Sequence, residues 1–137
     1  LQEAMTFVPF GVAVDEFRHI VYELPELTPK ERTMEWHKLE KKYMPWRKYE
    51  DGEFMERGGY WYHKLHIFLY PFYYINYTLT TMGAMEFKKR YMENPKEAWK
   101  DYLNLCKAGS SKSYLELLKV ANLSVPFEEG SCGLAIC

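Results

Sequence analysis

The sequence predicts an all-α fold, and three observations carry that prediction. Apolar residues recur at intervals of three and four in several segments, which is the period of one helical face. Two cap-and-proline pairs, Thr28-Pro29 and Asn94-Pro95, mark helix starts. The most obvious hairpin signal, Asp51-Gly52, has no clean alternation of apolar and polar residues on either side, so it is weak support for strands. A chain of 137 residues suffices for one modest core and is short for two, so residues 1–137 are read as a single helical unit of about five or six helices.

The first helix is expected over residues 10–24, because Phe10, Val14, Phe17, Val21 and Leu24 share a face. Pro9 either kinks it or opens it, in which case residues 1–8 end a preceding helix; Pro25 stops it. Thr28, Pro29 and Glu31 form a capping box with proline at the first helical position. The second helix then runs to Tyr43, with Trp36, Leu39 and Tyr43 on one face, and Pro45 ends it. Residues 45–59 read as a loop with at most one helical turn. A short helix is expected from Tyr60 to Phe68, and beyond Pro71 a long one from Phe72 to about Met92. Asn94 and Pro95 start another, whose Trp99, Tyr102, Leu103 and Cys106 build an apolar face before Gly109 closes it. Ser113 caps a last helix with Leu115, Leu118 and Val120 inward, and Pro126 begins one more turn.

Composition narrows the function. Residues are 47% hydrophobic and 27% charged, with 18 Lys+Arg against 19 Asp+Glu, the balance of an ordinary globular surface around a core. With no basic stripe, nucleic acid is a poor partner. No apolar run is long enough for a membrane span, and no signal peptide is visible, so the chain reads as soluble and cytoplasmic. Cys106, Cys132 and Cys137 are odd in number and at no metal-ligand spacing, which fits a reducing compartment without a disulfide framework. The chain opens at Leu1 inside an amphipathic segment and is read as a piece of something longer.

Two histidines and four tyrosines crowd the stretch from His63 to Tyr77. Tyr70, Tyr73, Tyr74 and Tyr77 stand at helical spacing, although Pro71 interrupts the register after Tyr70. On the residues alone, the tyrosines are either an aromatic core stripe or a row of phenols lining a cleft. His63 and His66, three apart, lack a third metal ligand, so no metal site is assigned to them. His37 reads as solvated. Asp15-Glu16-Phe17-Arg18-His19 imitates the H-E-x-x-H zinc motif with aspartate in place of the first histidine. Hydrolysis at zinc needs both histidines, the glutamate and a third protein ligand, so these residues are read instead as polar-face or interhelical hydrogen-bonding groups. No nucleophile elbow, phosphate loop, paired Cys-x-x-Cys motif or dinucleotide fingerprint is present.

With these residues in view, the chain resembles the C-terminal part of oligoendopeptidase F and its relatives in the thimet oligopeptidase family of zinc metallopeptidases. The resemblance is carried by Phe10-Gly11-Val12-Ala13-Val14-Asp15-Glu16-Phe17, by Glu40 to Pro45 with Arg47 and Tyr49, and by Gly58-Gly59 with Trp61. It is most specific at His66-Ile67-Phe68 and from Pro71 to Leu79, and it continues through Ala108 to Ser113, Ala121-Asn122-Leu123 and Pro126-Phe127-Glu128.

The resemblance implies the C-terminal portion of a helical zincin-type catalytic domain whose zinc ligands precede this segment. The intact enzyme would hold zinc, while this chain alone would bind none and be inactive. It also implies that His66 contacts substrate, that Tyr77 hydrogen-bonds the developing oxyanion, and that Tyr73 or Tyr74 is a second cleft hydroxyl. Thimet-type relatives have a functional tyrosine at the position of Tyr70, whose role here stays open, and Asn76 stands where the family has aspartate. The implied partners are short peptide substrates and the remainder of the peptidase chain. Exposed apolar surface in the isolated chain would favour homo-oligomers. A non-catalytic helical module for peptide binding or oligomerisation is the alternative.

Overall fold

The computed structural model describes residues 2–50 and 52–128. Among them the helices are α1 (Gln2–Glu23), α2 (Pro29–Tyr43), α3 (Glu53–Glu56), α4 (Leu65–Leu69), α5 (Ile75–Glu93), α6 (Pro95–Ala108) and α7 (Tyr114–Val120), with a 3-10 segment at Gly59–His63 and no strand. The fold is all-α, as the periodicity implies. Two compact units divide between Thr78 and Leu79, within α5.

In the first unit α1 packs on α2. Pro9 neither opens nor ends α1, which runs unbroken through it. A proline inside a helix deprives the carbonyl four residues back of its donor. Here the next turns are anchored by Phe10, Ala13, Val14 and Phe17, all buried. Those side chains meet Trp36 and Leu39 of α2, Met44, Trp61 and Tyr74 in one core. Phe17 stands edge-on to Trp36, with ring centroids 5.3 Å apart at 85°, the geometry that the ring quadrupoles favour. Burying an apolar side chain of this kind stabilises the fold by roughly 1.5–3 kcal/mol. Leu24 leaves the expected stripe because the helix ends at Glu23, and it is exposed.

Thr28 caps α2 as expected, with a complete capping box to Glu31. The loop that follows holds only the single turn of α3; Asp51 lies outside the described residues. Gly58 brings the chain back against α2 with φ of 96°. A Cβ there would lie 2.5 Å from the Thr33 carbonyl oxygen and 2.8 Å from His37 Cβ. The approach seats Trp61 in the core, where its indole N–H donates to Thr33 Oγ1 at 3.3 Å. It also leaves His37 half-buried rather than fully solvated.

Two boundaries differ from expectation. The helix expected over 60–68 is split at Lys64, whose backbone is extended (φ −96°, ψ 91°), into the 3-10 segment and α4. The long helix begins at Ile75 rather than Phe72. Pro71 forces Tyr70 out of helical geometry (φ −128°, ψ 79°), as the ring of a following proline does. Phe72 then takes a left-handed conformation with φ of 54°.

The second unit comprises α6, α7 and the remainder of α5. Asn94 and Ser113 cap α6 and α7 as read from sequence, and Gly109 closes α6. Glu86 of α5 accepts hydrogen bonds at 3.0 Å from the backbone N–H and the hydroxyl of Ser124. The inward faces, however, are not those expected. Trp99, Tyr102, Leu103 and Cys106 of α6 are exposed, and Ala98 and Asp101 are buried. In α7 Leu118 is buried, while Leu115 is exposed. A buried ion pair explains the rotation of α6. Asp101 accepts a hydrogen bond from the Arg90 guanidinium and another, at 3.0 Å, from the Asn122 amide. Arg90 also donates to the carbonyls of Ala121 and Asn122 at 2.9 and 3.0 Å. A carboxylate in the interior is tolerated only when paired and hydrogen-bonded in this way. The helix therefore turns its carboxylate and its small Ala98 inward and its bulky aromatics out.

Candidate functional site

The tyrosines at helical spacing do not share a helix. Tyr70, Tyr73 and Tyr74 belong to the turn that Pro71 and Phe72 create, and Tyr77 lies in the first turn of α5. Backbone bonds from the amides of Tyr73, Asn76 and Tyr77 to the carbonyls of Tyr70, Tyr73 and Tyr74 wind this segment into α5. The Phe72 ring, 4.8 Å from His19 and 5.1 Å from Tyr22, pins the turn to α1. A left-handed non-glycine residue costs on the order of 1–2 kcal/mol, and these ring contacts offset it.

The turn gathers the residues that the sequence singled out. His66, Tyr70, Tyr73 and Tyr77 line a cavity of about 370 Å³. The imidazole lies 5.7 Å from the Tyr70 ring, 5.3 Å from Tyr74 and 5.9 Å from Tyr77, between ring centroids. Tyr73 meets Tyr77 edge-on at 5.4 Å. Tyr70, Tyr73 and Tyr77 are exposed, whereas Tyr74 is a core residue that presents its ring to both His66 and Tyr77.

Two contacts whose partners sequence reading did not name hold the cluster on α1. Arg18 is 1% exposed and donates from Nη2 to the His66 carbonyl. The Tyr70 amide donates to that same oxygen at 3.2 Å, so one carbonyl ties the cluster to α1. The signal was a charged residue four positions after Val14 on an apolar stripe. Secondly, Gly11 faces Thr78, and a Cβ on Gly11 would lie 1.8 Å from Thr78 Oγ1. The missing side chain lets the first turn of α5 sit against α1, which fixes Tyr77.

The electrostatics favour phenols over phenolates. Tyr77 is held above the usual tyrosine value first by a side-chain hydrogen bond with Tyr73, then by burial and the neighbouring phenols. Tyr74 is raised chiefly by burial. Both therefore stay protonated at neutral pH, and a protonated phenol can donate a hydrogen bond.

The other candidates are structural in their contacts. Glu16 pairs with Lys42 at 2.8 Å and accepts from the Tyr43 hydroxyl, bridging α1 to α2. Asp15 and His19 face one another at 3.6 Å across one turn of α1. His63 stacks on Tyr60, centroids 5.8 Å apart. Among the described residues no three His, Cys, Asp or Glu side chains form a group that could hold a metal ion. Cys132 and Cys137 lie outside the described residues. Among them, too, no helix is long and apolar enough to cross a membrane.

By sequence and by fold the chain is similar to one segment of proteins named PZ peptidase A and oligoendopeptidase F. It is similar to PZ peptidase A, solved with an inhibitor, at 51% identity and a TM-score of 0.91 over 98% of this chain and 24% of that one. A protein described as oligoendopeptidase F, from crystals grown by microfluidic seeding, matches at 48% identity and TM-score 0.91, again over 98% and 24% of the two chains. Another so described, from Bacillus anthracis str. Ames, matches at 46% identity and TM-score 0.75 over 98% of this chain and 20% of its own. The chain thus spans about a quarter or less of the length of these relatives. No protein-family model and no curated protein matches it.

Proposed function

We propose that this chain is the C-terminal portion of a zinc-dependent oligoendopeptidase and supplies one wall of the cleft in which short peptides are hydrolysed. The observation that carries the reading is the convergence of His66, Tyr70, Tyr73 and Tyr77 on one open cavity. When a peptide carbonyl is attacked, charge builds on its oxygen. A phenol already in place stabilises that charge more than it stabilises the substrate. Tyr77 takes this role: its phenol stays protonated at neutral pH, and its single O–H proton turns from Tyr73 to the oxyanion as charge builds there. Tyr73 orients that phenol, and His66 contacts the substrate backbone beside it. Tyr74 backs both rings from the core, and Tyr70 borders the cavity mouth.

Zinc belongs to the intact enzyme. It would activate the attacking water, and the described residues offer no set of ligands for it, so the remainder of the peptidase chain would hold it. The 137-residue chain alone would be inactive, and the whole enzyme would work in the cytoplasm.

The test is Tyr77→Phe in the full-length peptidase, assayed on a quenched fluorogenic peptide. Turnover should fall on the order of a hundredfold or more with little change in KM, since the interaction lost exists only in the transition state. Turnover within a factor of two of the parent would overturn the role of Tyr77. Cleavage that survives a chelator would overturn the zinc dependence.

A further inference from the structure

A second cavity in the first unit, about 400 Å³, is lined in part by Tyr74, whose ring also meets His66 at 5.3 Å between centroids. Its lining includes Phe10, Arg47, Tyr60, Lys64 and Tyr74. Both cations converge on the same two rings. The Arg47 guanidinium is 3.9 Å from the Tyr60 centroid and 5.6 Å from that of Phe10. Lys64 Nζ is 4.7 Å from the Phe10 centroid and 5.9 Å from that of Tyr60. Both residues are half-buried, and neither forms an ion pair among the described residues. The side-chain hydrogen bond that Arg47 makes within the unit goes to Met44 Sδ at 3.7 Å, a weak acceptor. Glu3 is the one carboxylate in the lining; it is exposed and pairs with neither cation.

Two like charges held over shared aromatic faces repel each other, and cation–π attraction only partly offsets the loss of water. A carboxylate between them removes the repulsion and uses the forked donors of arginine. We propose that Arg47 and Lys64 bind the C-terminal carboxylate of a peptide whose chain runs past Tyr74 to the His66 cluster. The spacing suits a short peptide: His66 to Tyr74 is 5.3 Å, Tyr74 to Phe10 is 5.8 Å and Phe10 to Arg47 is 5.6 Å, a separation of at most about five extended residues at roughly 3.3 Å each. The site would make the enzyme measure peptide length from the free end. This inference rests on the peptidase reading for its ligand, and its test does not depend on turnover.

The experiment is calorimetric titration of the full-length protein with an uncleaved tripeptide and with the same tripeptide carrying a C-terminal amide. The acid should bind about tenfold more tightly, the scale of one charge-assisted contact. Arg47→Met should reduce that ratio to near one, and Lys64→Gln should reduce it about threefold. Lys64→Gln carries the test if R47M fails to fold. Equal affinities for acid and amide in the parent protein, or a ratio that the variants leave unchanged, would overturn the proposal. So would an equal loss of both ligands in R47M with a lowered Tm, because the cations would then serve a carboxylate of the protein itself. Cleavage assayed in parallel separates the two readings. A ratio without hydrolysis refutes the peptidase function alone, and hydrolysis without a ratio refutes this site alone.

Discussion

The two units build their interiors differently, although both bury charge: the first holds Arg18 and Glu40 beside an aromatic core. The first places Phe10, Phe17, Trp36 and Trp61 inside, edge against edge, and leaves its interhelical ion pair, Glu16 with Lys42, near the surface. The second buries a carboxylate, Asp101, and leaves Trp99, Tyr102 and Leu103 exposed. An apolar stripe on a helix therefore specifies a face and not a direction. Where a buried polar pair competes, the pair decides which side turns inward.

The contrast can be broken most directly at Trp36. Replacing this fully buried side chain by alanine should cost about 3–5 kcal/mol, transfer and cavity together. The loss should appear as faster hydrogen exchange across α1 and α2. An effect below about 1 kcal/mol would mean that the aromatic core is not what holds the first unit.

Asp101→Ala comes next. Leaving the Arg90 guanidinium without its carboxylate should cost about 3 kcal/mol, seen in urea unfolding and in exchange from α6 and α7. The same pair sets an acid limit. Asp101 is held below its ordinary value of 3.8, first by the hydrogen bond from Arg90 and also by that from Asn122. Its contribution is complete above that value and fades as pH falls through it and below. Acid titration monitored at α6 should lose stability in that window, and in D101N the same window should be flat.

Thr28→Ala removes one member of the α2 capping box and should cost about 1 kcal/mol, as a shift in the urea midpoint. Smallest is Trp99→Gln on the exposed side of α6, which should change the stability of the 137-residue chain by less than about 0.5 kcal/mol. A loss near 2 kcal/mol would show that this aromatic face meets protein rather than water, and would erase the contrast between the units.

How much of this was legible in the sequence follows the same division. Cap residues act locally, so Thr28, Asn94 and Ser113 announced their helices correctly. Trp36 and Phe17 faced inward as their spacing indicated, with Arg18 and Glu40 buried alongside them. The directions of α6 and α7 depended on Arg90, Asp101 and Asn122 meeting across distant positions, which no local pattern contains. The candidate site was legible as a concentration of His and Tyr between His63 and Tyr77. Its geometry was not, because the rings converge through the left-handed turn at Phe72 rather than along a helix face. The tie from Arg18 to the His66 carbonyl, and the meeting of Arg47 and Lys64 over Phe10 and Tyr60, became visible only once α1, the loop and the 3-10 segment were folded together.

The turn at Gly58 has a meaning for how this chain can change over evolutionary time. Irregular segments usually drift in sequence faster than helices, because their backbone is solvated and indifferent to what it carries. Here the irregular segment touches the backbone of α2 at a point where no side chain fits. Substitution there would lift Trp61 from the core, so it should be purged as efficiently as a change at Trp36 itself. Length variation should be tolerated upstream, around residue 50, and should stop abruptly at residue 58. A variant library scored for folding would show a permissive loop ending on a single intolerant position.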